Sequence, residues 1–224
     1  MTEMSPVGSL GIMKWQLGGL DDKALYDVKA KQGFAPFTVE MKITDDSGKK
    51  LPWDGKTFGR LKVRGPAVAS AYYRGDGGDI LDDEGYFDTG DVSTIDANGY
   101  MQITDRSKDV IKSGGEWISS IDLENLAVGH PEVAEAAVIG IAHPKWDERP
   151  LLIIVRKPDT APTKEGLLKF MEGKIAKWWM PDDVVFIDQI PHTATGKIQK
   201  MELRKMFQDY RLPTASSADV LTKA

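Results

Sequence analysis

The chain has 224 residues and a net charge of −5 at pH 7, with 41% hydrophobic and 28% charged residues. This composition is typical of a globular protein with a hydrophobic core, and the mixture of both charges argues against a dedicated nucleic-acid-binding protein. The absence of cysteine excludes disulfides, thiolate catalysis and cysteine-based zinc sites, and the spacing of the three histidines suggests no metal cluster. No apolar run approaches the roughly 20 residues that span a membrane, and no secretory signal opens the chain, so a cytoplasmic location is expected.

The first half of the chain reads as short strands joined by turns. The segments "FTVEMKIT" (37–44) and "FGRLKVRG" (58–65) alternate apolar and polar residues with period two, which predicts strands. The segment "DVSTIDANGYMQIT" (91–104) predicts a hairpin turned at Ala97-Asn98-Gly99. Together these segments predict a small antiparallel subdomain, a β-barrel or a sandwich.

The second half, from about residue 105, mixes helices and strands. A serine cap begins a predicted helix in "SSIDLENLAVGH" (119–130), and "VAEAAVIGIA", "PLLIIVRK" and "DVVFID" predict strands. Residues 163–179 predict one helix, and residues 200–210 predict a final one. The stripe expected to face the core on the first of these two helices is Leu167, Leu168, Met171, Ile175 and Trp178. The fold class expected for the whole chain is α+β, with a small sheet flanked by helices in its second half.

Three motifs carry candidate chemistry, and the first is "YFDTGD" at 86–91, which places two aspartates on a predicted loop between strands. A carboxylate there can accept hydrogen bonds from the vicinal hydroxyls of a ribose. Taken alone, the motif is explained more simply as a surface turn.

The second motif is "DRSKDVIKSGGEW" at 105–117. Its basic residues Arg106, Lys108 and Lys112 could meet phosphates, and Gly114 and Gly115 allow a ligand to approach the backbone closely. A charged linker that ends in a flexible turn explains the same residues equally well.

The third motif is "PHTATGK" at 191–197. It is not a phosphate-binding P-loop, because Pro191 and Ile198 stand where that pattern needs a glycine and a serine or threonine. What remains is a tight glycine turn that ends in Lys197, whose ammonium suits a developing anion. Elsewhere, His143 is expected to serve loop structure, and Trp178 and Trp179 to pack in the core or at a domain contact.

Taken in order, these motifs and the opening "MTEMSP" (1–6) resemble the C-terminal half of the AMP-forming acyl-CoA synthetases, members of the adenylate-forming family. The resemblance covers the whole chain except its tail, and "SGGEWISS" is most similar to the fatty acyl-CoA synthetase branch. It implies that residues 1–104 are the end of a large N-terminal domain, 105–212 a mobile C-terminal domain, and 213–224 a disordered tail.

The resemblance also implies a role for each motif residue. Thr2 would contact the nucleotide phosphate, Glu3 would bind Mg²⁺, and Asp91 would hold the ribose hydroxyls with Arg106 nearby. The remaining assignments concern CoA, the hinge and the reacting centre. They are Gly114, Gly115, Glu116 and Trp117 for the CoA passage, Lys112 for ATP or AMP, Lys108 for the hinge, and Lys197 as the residue bridging the acyl carboxylate and the α-phosphate.

The expected activity is that of an AMP-forming acid-CoA ligase, which uses ATP, Mg²⁺ and CoA to activate a fatty or related carboxylic acid. A lysine that neutralises charge during adenylation would then be withdrawn by a domain swing so that CoA can enter. Such enzymes are more than twice as long, so the chain is expected to be a truncated part that needs the missing N-terminal portion. The alternatives are a catalytically inactive nucleotide- or CoA-binding module and an adenylating ligase for an aryl or methylthio-alkanoic acid. A homodimer is left open.

Overall fold

The computed structural model describes residues 1–215 and divides into two compact units, Met1–Lys108 and the part that begins at Asp109. The division falls four residues after the predicted boundary at 104/105. The predicted tail, 213–224, lies mostly outside the described residues. No helix within residues 1–215 is both long and apolar enough to cross a membrane.

The first unit is built on an antiparallel sheet in which neighbouring strands follow chain order. Its strands are β1 (Glu40–Thr44), β2 (Gly59–Arg64), β3 (Phe87–Ile95) and β4 (Met101–Arg106). No described pairing joins β4 back to β1, so the predicted barrel is not seen to close. The hairpin predicted between β3 and β4 is present, with a turn at residues 96–100.

A helix that the sequence analysis did not identify, α1 (Asp22–Lys29), precedes this sheet. It begins where the Asp21 carboxylate accepts a hydrogen bond from the Ala24 amide, the usual arrangement at a helix N-terminus. Two backbone hydrogen bonds tie the chain around it to β4: the Gln32 amide donates to the Met101 carbonyl, and the Met101 amide donates to the Gly33 carbonyl.

The second unit contains a five-stranded sheet with helices on both faces. Its strands are β5 (Ile111–Ser113), β6 (Glu116–Ile118), β7 (Val133–His143), β8 (Asp147–Arg156) and β9 (Asp183–Phe186). Its helices are α2 (Ser120–Val128), α3 (Lys164–Met171) and α4 (Lys200–Met206). The strand order is β6-β5-β8-β7, and β9 pairs with β8 in parallel.

The two faces of this sheet explain the continuous apolar runs in β7 and β8. Leu152 and Ile154 belong to one buried cluster, which includes residues of α2 and α3. Leu151 and Ile153 belong to a second buried cluster, which includes Leu203 of α4. Because both faces are covered, neither face of the strand needs polar residues.

The helix predicted over 163–179 is wrong in its length. Thr163 caps α3, but the helix ends at Met171, and Gly173 has a left-handed backbone with φ of 72°. A separate 3₁₀ turn, Lys177–Trp179, follows. Trp178 therefore does not continue the buried stripe: 42% of its surface is exposed, while Trp179 packs against the first cluster.

Candidate functional site

Residues 87–91 of the "YFDTGD" motif lie on β3 and not on a loop as predicted, with Gly90 in a left-handed conformation (φ 72°) in the middle of the strand. Its first aspartate has a structural contact, since Asp88 accepts a hydrogen bond of 2.9 Å from the Nε of Arg60. The second aspartate, Asp91, lies opposite Arg106 of β4. The two motif aspartates therefore have different surroundings.

Asp91 and Arg106 form an ion pair at the edge of the predicted nucleotide motif. An Oδ1–Nη1 distance of 2.9 Å joins them, and the Asp91 side chain is only 13% exposed. Burial raises the pKa of Asp91, and the nearby Arg106 charge opposes that rise. Asp91 also lines a cavity of about 330 Å³ between the N-terminal residues and the sheet.

Thr2 and Glu3 lie in a 3₁₀ turn, Thr2–Met4, at the start of the chain. The hydroxyl of Tyr72 donates to Oε1 of Glu3 at 2.9 Å, and the amide of Ala69 donates to the Glu3 carbonyl. Hydrogen bonds from its own backbone amide and from Tyr72 lower the pKa of Glu3, and Arg106 adds a smaller effect in the same direction. Glu3 is thus an ionised carboxylate that remains partly exposed. Within residues 1–215, no group of three or more histidine or acidic side chains is arranged to hold a metal by itself.

The "KSGGEW" part of the second motif forms a tight hairpin in the second unit. Ser113 pairs with Glu116, and the two glycines between them have φ of 59° and 86°, as a type I′ turn requires. Lys112 and Trp117 face each other across this hairpin, with the ammonium 5.5 Å from the ring centroid. The Gly114 amide donates to the carbonyl of Trp146 at 2.8 Å.

A cavity of about 770 Å³ opens beside this hairpin, within the range of small-molecule sites. Four segments far apart in sequence form its walls. Its lining residues are Ser113, Gly114, Glu116, His143, Lys145, Trp146, Arg149, Lys177, Trp178, Asp182 and Thr214. Two partly exposed tryptophans and two exposed lysines therefore lie around one space.

Of these lining residues, only Gly114 and Glu116 are predicted from the sequence to contact a ligand. Lys145 and Trp146 are in the turn between β7 and β8, and Lys177 and Trp178 are in the 3₁₀ turn that lies where the sequence predicts helix. These residues could not be assigned to the cavity without the position of the 3₁₀ turn, because that position decides whether Trp178 faces the core. His143 has the structural role that was predicted: its Nδ1 accepts the amides of Lys145 and Trp146 at 3.1 and 3.3 Å.

Lys197 ends a compact turn in the second unit. Thr193 organises this turn, since its amide donates to the Lys197 carbonyl at 2.8 Å and its hydroxyl accepts the Lys197 amide at 3.1 Å. Gly196 supplies the left-handed residue (φ 79°). The Lys197 side chain is exposed. Lys108, the predicted hinge, is the last residue of the first unit.

Comparison with known proteins gives consistent matches. Residues 122–197 match the family model of the AMP-binding enzyme C-terminal domain. The 3-methylmercaptopropionyl-CoA ligase of Ruegeria pomeroyi is 53% identical over 209 residues, which is 93% of this chain and 39% of that ligase. The medium-chain-fatty-acid–CoA ligase of Ectopseudomonas oleovorans is 44% identical over 97% of this chain and 40% of its own length.

Among solved structures, ATP-bound MatB from Rhodopseudomonas palustris matches with a TM-score of 0.70 and 33% identity. The match covers 80% of this chain and 36% of MatB. The chain thus spans about two fifths of the length of the curated relatives it matches.

Proposed function

We propose that this chain is a C-terminal portion of an adenylate-forming acyl-CoA ligase, and that it supplies the CoA-binding and part of the nucleotide-binding apparatus of an AMP-forming acid-CoA ligase. The reaction would join a carboxylic acid to AMP with release of pyrophosphate, and then transfer the acyl group to the CoA thiol.

The cavity beside the Gly114-Gly115 hairpin is the observation that carries this proposal. CoA ends in a purine ring with a neighbouring phosphate, and the ring can stack on tryptophan while lysines neutralise the phosphates. Trp146 and Trp178 supply aromatic faces, and Lys145 and Lys177 supply ammonium groups around the same space. The two glycines would let the pantetheine arm pass close to the backbone, because Gly115 has open space where a Cβ would lie.

The first unit supports a role in nucleotide binding. Asp91 would accept hydrogen bonds from both ribose hydroxyls, and Arg106 would hold that carboxylate in place and favour its charged form. Glu3 fits a Mg²⁺ that is bound by one carboxylate together with substrate phosphates, which is a usual arrangement for this cation. Thr2 would meet a phosphate oxygen.

Lys197 and Lys108 would serve the two half-reactions. The exposed Lys197 ammonium, carried by a turn with few torsional options, suits the negative charge that develops during adenylation. The division of the chain between Lys108 and Asp109 agrees with a hinge at that position. We propose a fatty or methylthio-alkanoic acid as substrate, on the strength of the 53% and 44% identical relatives.

Isothermal titration of the chain with CoA and with adenosine 3′,5′-bisphosphate tests the proposal. Binding of both ligands is expected, and Trp178→Ala should weaken both about tenfold, because a lost base–aromatic stack typically costs that much. Trp15→Ala is the matched control, since Trp15 lies in the first unit and is 86% exposed. Absence of binding, or an equal effect of both variants, would contradict the assignment of this cavity.

A further inference from the structure

The edge of β8 changes its partner strand in the middle of the second unit. β5 pairs with the start of β8 through Ser113 and Asp147, whereas β9 pairs with it from Leu151 onward. Arg149 lies between these two pairings. The large cavity lies beside this gap in the sheet.

Arg149 fills the gap with hydrogen bonds to two segments, one at Ser113 and the other at residues 178–182. Its Nη1 donates to the Ser113 hydroxyl at 3.1 Å and to the Trp178 carbonyl at 2.8 Å. Its Nη2 donates to the Met180 carbonyl at 3.0 Å, and its Nε donates to Oδ1 of Asp182 at 2.6 Å. One guanidinium thereby holds the glycine hairpin to the turn that presents Trp178.

The chain beyond α4 reaches the same carboxylate. The Thr214 hydroxyl donates to Oδ2 of Asp182, the oxygen that Arg149 does not use. Two further contacts anchor this segment: the Tyr210 hydroxyl donates to Asp183, and Leu212 is 2% exposed. Residues 207–215, which we call the strap, therefore contribute one wall of the cavity through Thr214.

We propose that Arg149, Asp182 and Thr214 form a clasp that positions the two walls of the CoA cavity, so that the strap helps to set the affinity for the nucleotide end of CoA. This proposal rests on the function proposed above for the cavity. The clasp residues are positioning residues and not phosphate ligands. Four Arg149 donors are already engaged by protein oxygens, and Asp182 offsets its charge.

The Arg149→Lys variant distinguishes a positioning role of Arg149 from a purely electrostatic one. Arg149→Lys keeps the positive charge but lacks the planar fork that reaches several acceptors at once. If Arg149 acts as a clasp, Arg149→Lys should weaken adenosine 3′,5′-bisphosphate binding as much as Arg149→Met, roughly tenfold. If Arg149 acts as a charge for the ligand, Arg149→Lys should retain most of the affinity, and that result would overturn the proposal.

Thr214→Val tests the strap with a small change at an exposed position. We expect about threefold to tenfold weaker binding, together with faster amide hydrogen exchange at residues 114–116 and 177–180. Exchange in α2 should stay unchanged. Thr160→Val is the control, because the Thr160 hydroxyl also donates a hydrogen bond, in its case to the backbone carbonyl of Lys157 at 2.8 Å, but Thr160 does not line the cavity.

The two proposals fail in different ways. If the unsubstituted chain binds neither ligand, the function proposed for the cavity is wrong. Hydrogen exchange needs no ligand, so unchanged exchange at both walls in Thr214→Val and Asp182→Asn would overturn the clasp in either case. Binding within twofold of the unsubstituted chain in these variants would overturn the effect on affinity.

Discussion

The fold places the Asp91 carboxyl group in a buried environment that disfavours its charged form. Its side chain is mostly buried, which raises its pKa, and the ion pair with Arg106 only opposes that rise. The proposed contact with ribose needs the ionised form. As the pH is lowered, AMP binding should therefore begin to weaken at a higher pH than it would if Asp91 had the pKa of an ordinary aspartate.

Carboxyl carbon NMR of the chain should show Asp91 titrating above the ordinary value of 3.8. Arg106→Gln should raise that pKa further, because it removes the neighbouring positive charge. Asp54 is an internal control, since hydrogen bonds from the Thr57 and Lys56 segment lower its pKa to about 2, and Arg106→Gln should leave it unchanged. A pKa for Asp91 below 3.8 would contradict the prediction.

The same shift has the opposite effect on the fold. Because the pKa of Asp91 is raised above its unfolded value, the folded state binds this proton more tightly than the unfolded chain does. Between those two values, acidification through Asp91 favours the folded state. Protonation of Asp91 itself therefore does not contribute to unfolding in that window.

Residue identities were easier to predict than residue surroundings. The motifs around Asp91 and Gly114 could be located from the sequence, because their order and spacing resemble those of a known family. The role of Arg149 could not be foreseen, because its partners Ser113, Trp178 and Asp182 come together only when three strands and a 3₁₀ turn are placed.

Among the elements, the β5–β6 hairpin connects backbone conformation with the proposed site. Both glycines have positive φ, but a Cβ on Gly114 would lie 2.9 Å from Cε3 of Trp146, whereas Gly115 has open space there. An alanine would therefore strain the backbone equally at the two positions, but only at position 114 would its methyl group displace the Trp146 ring.

Gly114→Ala and Gly115→Ala should each lower the unfolding free energy by about 1 kcal/mol, the cost of a left-handed alanine. Only Gly114→Ala should weaken the binding of adenosine 3′,5′-bisphosphate, which lacks the pantetheine arm, because the added methyl group pushes the Trp146 ring. Thermal denaturation and titration of both variants check this, and equal affinity for adenosine 3′,5′-bisphosphate in the two would show that the position of Trp146 is unimportant.

Helices and strands with a strong hydrophobic periodicity were predicted well, but a local interruption of such an element is not visible in the periodicity. The buried strands β7 and β8 and the capped helix α2 were identified because apolar runs and a serine cap are local signals. The end of α3 was missed because the apolar spacing continues past Gly173. The "YFDTGD" motif was taken for a loop because its polar residues hide a strand that is interrupted at Gly90.

At the scale of the whole molecule, the chain spans about two fifths of the length of its curated relatives. The proposed ligase reaction is therefore expected to need a complementary part. The Ruegeria pomeroyi ligase, at 53% identity, is a suitable source for that part. A fusion of its preceding segment to this chain tests whether the chain retains the ligase function.

The fusion should release pyrophosphate in the presence of 3-methylmercaptopropionate and form the CoA thioester. Lys197→Ala should lower pyrophosphate release by about two to three orders of magnitude, as the loss of a charge-stabilising group does elsewhere. Lys205→Ala is the control, because Lys205 is an exposed lysine of α4 that pairs with Glu202. An inactive fusion of well-folded protein that still binds CoA would favour the non-catalytic binding module.

The parallel pairing of β9 with β8 also sets an order of events during folding. β7 and β8 are adjacent in sequence and pair along their whole length, from Val133–Arg156 to His143–Asp147, so their loop closes early. β9 can join only after residues 157–182 have crossed the sheet, which costs more chain entropy. β9 and the cavity wall between Trp178 and β9 are thus expected to form late in folding and to open first. Substitutions there should mainly speed unfolding, whereas substitutions in β7 should slow folding.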